Sequence, residues 1–187
     1  MSSFVSRGGE KLDYALTNFK VNPQDLICAD FGSSTGGFVD CLIQHGAKKV
    51  YSVDTAYGEL DWNLRNNDKV VVLERTNALH VNLPEKVDLI TIDAGWTRQE
   101  LIIPSALKNL KPEGKIISLL KPHYEASREQ LEKGKVKEEF HEQIISDVTA
   151  KLIPLGIIIQ DIIESPIEGK RRGNKEFFIL IINSNEN

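Results

Sequence analysis

The stretch Ile27-Cys28-Ala29-Asp30-Phe31-Gly32-Ser33-Ser34-Thr35-Gly36-Gly37-Phe38 decides the fold. An apolar run ends at Phe31 in a turn of glycines and small hydroxyl residues. Helical periodicity follows over Gly36–Gln44, with Phe38, Cys41 and Leu42 as its apolar face. Glycines let the backbone approach a ligand closely, and a helix N-terminus favours a negative group. A helix cap alone needs a shorter loop. Three ligands compete for such a turn. A Walker P-loop requires lysine after its last glycine, where Phe38 stands. The dinucleotide pattern G-x-G-x-x-G requires glycine at position 34, which is Ser34. S-adenosylmethionine presents a carboxylate, an ammonium and a ribose. It wants one acidic residue just before the turn and another ending the next strand. Asp30 and Asp54 occupy those places, Asp54 lying 22 residues after Gly32. Asp54 suits ribose hydroxyls, so it does not by itself separate this cofactor from NAD. Asp30 and the glycine spacing tilt the choice towards the sulfonium.

Outward from this turn, short apolar runs alternate with helical periodicity. A first helix is predicted over Gly9–Phe19, with Leu12, Ala15, Leu16 and Phe19 on one face. Strands are predicted at Leu26–Phe31, Lys49–Val53, Val70–Leu73, Val87–Ile92 and Lys115–Leu120, with a helix near Glu100–Leu110 between the last two. A helix over Glu138–Leu152 turns Phe140, Ile144, Ile145, Val148 and Leu152 inward, and strands at Ile157–Ile163 and Glu176–Ile182 close the chain. This alternation predicts an α/β fold: a Rossmann-like, doubly wound, mostly parallel seven-stranded sheet with helices on both faces. Glu164–Lys175 holds Pro166, Gly169 and Gly173 and has no helical pattern. Such a link suits an antiparallel last strand better than a parallel crossover. That ending is atypical of a nicotinamide-binding fold.

Composition sets the bounds. The chain has 187 residues, 23 Lys+Arg against 27 Asp+Glu, and a formal charge of -4. These are ordinary values for one soluble domain. The longest apolar candidate, Leu155–Ile163, is broken by Gln160 and Asp161 and falls far short of a membrane span. The N-terminus lacks a signal peptide's apolar core, so a cytoplasmic protein is expected. Mild acidity argues against a protein that coats nucleic acid generally. Cys28 and Cys41 have neither zinc nor redox spacing and are expected to be buried and reduced. His45, His80, His123 and His141 form no recognisable metal cluster, so no metal is expected.

Asp93 follows the run Val87–Ile92, and Lys121 follows Lys115–Leu120. In a parallel sheet both reach the carboxyl edge, where ligands bind. Taken singly, each could be a solvated or capping residue.

Six ordered blocks narrow the reading. They are Ser6-Arg7-Gly8-Gly9-x-Lys11-Leu12, Asp30 to Phe38, Val53-Asp54-x-x-Tyr57-Gly58, Leu73-Glu74-Arg75-Thr76-Asn77, Leu120-Lys121-Pro122-His123-Tyr124-Glu125 and Gly173-Asn174-Lys175-Glu176-Phe177. From about Ser6 to Leu180 the chain resembles the TlyA, or hemolysin A-type, ribosomal RNA methyltransferases, within the FtsJ-like 2′-O-ribose methyltransferases. The resemblance implies a class I methyltransferase fold, S-adenosylmethionine as cofactor, and RNA, ribosomal RNA or a ribosomal subunit, as partner. It implies a catalytic Lys-Asp-Lys-Glu set at Lys11, Asp93, Lys121 and Glu176. It also implies a cofactor site at Asp30, Gly32, Ser33, Ser34, Thr35, Gly36, Gly37, Phe38, Asp54, Thr76, Asn77 and Asp93.

The proposed chemistry is displacement at a sulfonium methyl by a ribose hydroxyl. Lys121 would take the hydroxyl proton or orient the hydroxyl. A free lysine is neutral in only about one molecule in 2,500 at pH 7. Burial and the second cation, Lys11, would lower its pKa, while Asp93 and Glu176 would raise it.

The chain also departs from the family pattern. The family's usual N-terminal S4-like RNA-binding domain is expected to be absent, since the first motif starts at Ser6. Ala94-Gly95-Trp96-Thr97-Arg98 stands where the family has Val-Ser-Phe-Ile, and Trp96 could stack on a base or pack over the sheet rim. The family's Gly-Lys-Gly-Gly stretch survives only as Lys133-Gly134-Lys135-Val136.

For RNA, Glu168–Lys175 carries four cations and one anion. Lys170, Arg171, Arg172 and Lys175, together with Arg7, are the expected phosphate contacts. The overall acidity is then an average of this basic rim and an acidic rear at Glu129, Glu132, Glu138, Glu139 and Glu142. Rival readings are a methyltransferase acting on another RNA or a small molecule, and a non-catalytic RNA-binding or assembly factor. A pore-former lacks a membrane span, and an NAD oxidoreductase is disfavoured by Ser34.

Overall fold

The computed structural model describes residues 3–169 and 173–183. Seven strands make one sheet: β1 (Ile27–Phe31), β2 (Lys49–Val53), β3 (Val70–Leu73), β4 (Val87–Ile92), β5 (Leu110–Leu120), β6 (Ile157–Glu164) and β7 (Phe177–Asn183). Their order is β3-β2-β1-β4-β5-β7-β6. β7 is antiparallel to both neighbours, and the remaining pairs are parallel. The expected α/β sheet and its antiparallel last strand are both present.

The inner strands are apolar on both faces because helices cover both faces. On one side α1 (Arg7–Phe19) and α2 (Gly37–Gln44) pack Leu12, Ala15, Leu16, Phe38, Cys41 and Leu42 into a buried layer. On the other, α4 (Gln99–Asn109) and α6 (His141–Leu152) bury Ile102, Ile103, Ile144, Val148 and Leu152. The α1–α2 contact is tight. A Cβ on Gly37 would lie 2.8 Å from the Gly9 nitrogen, so only glycine lets the helices close. Ser6 caps α1 by accepting the Gly8 N–H.

The differences from expectation have local causes. β5 starts at Leu110 rather than Lys115, because Leu110 pairs with Val87 before a register shift carries the strand past Pro112. Proline inside a run hides a strand from periodicity. The helix expected over Glu138–Leu152 opens as a 3₁₀ turn, Glu138–Phe140, before α6. Three short elements were too brief to show a period: α3 (Trp62–Arg65), α5 (Pro122–Glu125) and a hairpin pairing Leu131–Glu132 with Lys135–Val136. The hairpin turn, Lys133-Gly134, has positive φ at both residues, the geometry of a type I′ turn.

Cys28 and Cys41 are free and buried. Burial and the charge of Asp88 push the Cys28 thiol up to about 12, so it stays protonated. His45 was not expected to have ligand-type neighbours. It bonds Asp13 at 2.7 Å, with Cys41 close by, and that hydrogen bond accounts for the grouping. Among the described residues, no helix is long and apolar enough to cross a membrane.

Candidate active site

A cleft of about 770 Å³ opens at the carboxyl edge of the parallel strands. That volume suits a small ligand with room for a second reactant. One wall is the expected glycine loop. The Gly32 N–H donates to the Val53 carbonyl at 2.8 Å, and the Asp93 N–H donates to the Phe31 carbonyl at 3.0 Å. The loop is thereby pinned between β2 and β4. Gly32 has φ of 91°, and a Cβ there would lie 2.7 Å from the Asp93 carbonyl oxygen. Any side chain would push the loop off the strand end that carries Asp93.

Ser34, where a dinucleotide fold would have glycine, adopts φ of 48° and is held there. Its N–H donates to Asp54 Oδ2 at 2.7 Å, while Asp54 Oδ1 accepts the Ala56 N–H at 2.8 Å. Asp54 therefore does two things: it braces the strained serine and stays fixed in the cleft wall. Asp30, Gly32, Ser33, Ser34, Thr35, Gly37, Phe38, Asp54, Thr76, Asn77 and Asp93 all line the cleft. Gly36 does not line it. With φ of 98°, Gly36 forms the N-cap of α2 and turns the chain into the helix. Phe38 is 3% exposed and lies 6.1 Å from Phe178 between ring centres, so most of its surface serves the core.

Asp30 is fully buried. The Thr91 hydroxyl donates to its Oδ1 at 2.7 Å, and its Oδ2 has no hydrogen-bond partner among the described residues. Burial pushes its pKa up to about 7. The Thr91 and Ser33 hydroxyls oppose that rise, and the charges of Asp93 and Asp54 add to it.

The four expected catalytic residues converge. Asp93 and Lys121 follow β4 and β5. Glu176 precedes β7, and because β7 is antiparallel its first residue sits beside the last of β5, Phe177 opposite Leu120. The reversed strand thus delivers Glu176 to the same edge as Lys121. Lys11 comes from α1, 165 residues earlier, and its Nζ lies 2.5 Å from Glu176 Oε2 with both side chains buried. Lys121 Nζ lies 2.6 Å from Asp93 Oδ1. All four line the cleft.

This pairing changes the electrostatics expected from sequence. Lys11 is neutralised by Glu176 instead of bearing on Lys121. Burial works to lower the Lys121 pKa, but Asp93, Glu176 and Tyr124 outweigh it, and the net shift is upward. Lys121 rests as an ammonium.

The opposite wall is aromatic. Trp96 is 81% exposed and stacks on Tyr124 at 5.0 Å between ring centres, so it does not pack over the sheet rim. His123 packs on Tyr124 at 4.2 Å between ring centres, tilted by 57°, and Lys121 Nζ lies 5.5 Å from the Tyr124 ring centre. Burial and the Lys121 charge lower the His123 pKa to about 4, so its ring is neutral. Leu131 and Gly134 of the hairpin, and Asn174, complete this side. Sequence reasoning quoted Asn174 in a motif without giving it a task, and it missed the hairpin.

Of the expected RNA contacts, Arg7 lines the cleft. Lys170, Arg171 and Arg172 lie outside the described residues. Lys175 is paired with Glu138 at 2.7 Å and with Glu164 at 3.7 Å. Glu138 therefore does not belong to an acidic rear. It neutralises part of the expected basic rim.

Comparison with known proteins agrees with this architecture. The sequence pattern of FtsJ-like methyltransferases matches residues 4–183. The Bacillus subtilis protein YqxC is 40% identical over 185 residues, covering 94% of this chain and 64% of its own length. The 16S/23S rRNA (cytidine-2′-O)-methyltransferase TlyA of Mycobacterium tuberculosis is 34% identical, covering 96% of this chain and 68% of its own length. A solved Streptococcus thermophilus structure carrying the hemolysin name matches with a TM-score of 0.95 at 36% identity, covering 99% of this chain and 69% of that one. This chain spans about two thirds of the length of those relatives. It belongs to the FtsJ-like methyltransferase family.

Proposed function

We propose that this chain transfers a methyl group from S-adenosylmethionine to a ribose 2′-hydroxyl of ribosomal RNA. The observation that carries the reading is the pair of ion pairs, Lys11–Glu176 and Lys121–Asp93, facing one cleft beside the glycine loop. A small-molecule methyltransferase needs the loop but not this set. The relative named as a 16S/23S rRNA (cytidine-2′-O)-methyltransferase supports the same substrate class. Action on ribosomal RNA implies a cytoplasmic location.

The residues present fit the cofactor. The unpartnered Oδ2 of buried Asp30 suits an ammonium, the loop amides at the start of α2 suit a carboxylate, and Asp54 suits ribose hydroxyls. Thr76 and Asn77 extend this wall. When bound, S-adenosylmethionine supplies an electrophilic methyl group on its sulfonium.

The protein's own part is to hold the incoming hydroxyl. Lys121, held as an ammonium, donates a hydrogen bond to the hydroxyl oxygen and favours its ionised form. Asp93 and Glu176 keep the two ammonium groups in place and balance their charge. The oxygen would become strongly acidic as its bond to carbon formed and the carbon–sulfur bond broke, and its proton would pass to water in the open cleft, so Lys121 need not be neutral first. Arg7 and the segment Lys170–Arg172 would contact phosphates and set the RNA's position without reading its sequence.

The test is incubation with methyl-labelled cofactor and, in parallel, 16S and 23S rRNA, ribosomal subunits and tRNA. Label should enter rRNA or subunits at an alkali-resistant ribose. Label on a base, on tRNA alone or in no RNA would overturn the reading.

A further inference from the structure

We propose that Asn174 is a positioning residue that fixes the hairpin at Leu131–Val136 to the chain segment carrying Glu176, and thereby shapes the RNA-facing half of the cleft. What that half receives rests on the methyl-transfer reading above; the latch itself does not.

Asn174 is 2% exposed, and among the described residues its amide bonds no other side chain. Both ends go to the hairpin backbone. Oδ1 accepts the Val136 N–H at 3.0 Å, and Nδ2 donates to the Gly134 carbonyl at 3.1 Å. The asparagine's own carbonyl accepts the Gly169 N–H at 3.0 Å, which ties the latch to the loop before β7. Two residues on, Glu176 bonds Lys11 through its side chain and accepts the Ser165 N–H through its carbonyl. In extended chain, residues two apart face the same side. Asn174 and Glu176 accordingly both line the cleft.

The hairpin needs such a hold. It has only two cross-strand pairs, Leu131 with Val136 and Glu132 with Lys135. A lone two-stranded hairpin is marginal in water. Val136, 3% exposed, anchors one side in the core, and the Lys137 N–H donates to the Gln130 carbonyl at its base. Neither contact fixes the turn. Asn174 does so by holding the Gly134 carbonyl, and Gly134 and Leu131 are the hairpin residues that reach the cleft. Only an amide can serve both ends: aspartate keeps the acceptor for Val136 but has no donor for Gly134, and alanine has neither. The glycine loop is held by separate bonds from β2, β4 and Asp54, so the latch acts on one half of the cleft.

The test compares Asn174→Ala and Asn174→Asp with the wild type by amide hydrogen exchange, calorimetric binding of S-adenosylmethionine, and steady-state methylation of ribosomal subunits. In Asn174→Ala the Val136 amide should exchange about tenfold faster or more, as expected from loss of a buried hydrogen bond. KM for the RNA should rise about tenfold with a smaller fall in kcat, and cofactor Kd should stay within about twofold. Asn174→Asp should keep Val136 protected and lie between the two in KM. Native Val136 exchange in Asn174→Ala, or faster exchange with an unchanged KM, overturns the proposal. If the alanine variant fails to bind cofactor, the aspartate variant decides, since native KM there removes any role for the Gly134 bond. A wild-type protein that methylates no RNA would sink the functional reading, and hydrogen exchange would still judge the latch.

Discussion

The two walls of the cleft are built on different principles. The cofactor wall, Gly32–Thr35 with Asp54, grows from consecutive strands and is pinned by backbone hydrogen bonds to β2 and β4. The other wall, the one proposed to face RNA, is the Ala94–Thr97 loop with α5 and the hairpin; it is assembled from short segments far apart in sequence and held by side chains such as Asn174 and Tyr124. The part of the chemistry common to any acceptor lies on the rigid sheet edge. The part that must recognise one acceptor lies on segments that can be re-aimed without disturbing the sheet. Lys121 stands at the seam, since β5 delivers it and the aromatic wall covers it.

The seam is where the comparison is most easily broken. Lys121→Ala should lower kcat/KM by about a thousandfold or more, comparable to loss of a principal transition-state contact, in a labelled-methyl assay. Calorimetry should find cofactor Kd within a few-fold of wild type. A parallel loss of cofactor affinity would assign Lys121 to the cofactor wall and erase the division. Because Lys121 rests as an ammonium, Lys121→Arg, which keeps the charge but changes its shape, tests geometry separately.

The cofactor wall carries a pH-dependent stability cost at Asp30, opposite in sign to that of His123 on the other wall, whose lowered pKa costs stability as pH falls. Buried Asp30 holds its proton up to about pH 7 when folded, against 3.8 for the ordinary group. Between those values the folded state binds more protons than the unfolded state, so stability falls as pH rises from about 4 to about 7 and is level above. A shift of this size corresponds to about 4 kcal/mol as an upper bound. His123, lowered to about 4, acts in the opposite sense over the same range, so the effect is read as a difference: in thermal melts Asp30→Asn should gain stability over the wild type as pH rises from about 4 to about 7. A melt curve with the same slope in both proteins would remove Asp30 as the cause.

The contrast between the walls also explains what the sequence revealed. β1, β2, β3 and β4 are short apolar runs with abrupt ends, and the turn between β1 and α2 requires glycine for reasons visible in one local stretch. Asp30, Asp54, Asp93 and Lys121 were legible because each stands next to the end of such a run. Glu176 was legible only through the family motif Gly-Asn-x-Glu-Phe, and the antiparallel β7 explains why it reaches the same edge. The pairing of Lys11 with Glu176 spans 165 positions, and nothing local announces it. The hairpin was hidden because two-residue strands carry no period. The task of Asn174 was hidden because its partners are backbone atoms of that hairpin. The charge on Lys121 was left open for a related reason: the direction of its pKa shift depends on which carboxylate each lysine meets.

A smaller effect sharpens the cofactor side. Asp54 Oδ2 and Oδ1 already accept two backbone N–H groups, so Asp54→Ala should loosen the loop as well as remove a ribose partner. Cofactor affinity should fall about ten- to a hundredfold, the range for a hydrogen bond to a charged group. Once cofactor is saturating, KM for the RNA should be unchanged. A rise in that KM would show that the walls are mechanically coupled through the loop.

The smallest expected effect falls on the side proposed to face RNA, at Trp96. Its φ of 56° is unfavourable for a bulky residue, and its ring is 81% exposed while stacked on Tyr124. An exposed aromatic face beside a cleft is a platform for a base turned out of its stack. Stacking of one base on an aromatic is worth about 1–3 kcal/mol, and the lower end applies here because Tyr124 remains after Trp96 is removed. Trp96→Ala should therefore raise KM for RNA about fivefold and leave cofactor Kd unchanged. Trp96→Phe should recover most of the loss, since a flat ring and not the indole N–H carries the contact. If Trp96→Phe were as impaired as Trp96→Ala, the indole would be reading a hydrogen-bonding edge, and this wall would contribute direct sequence recognition as well as a stacking surface.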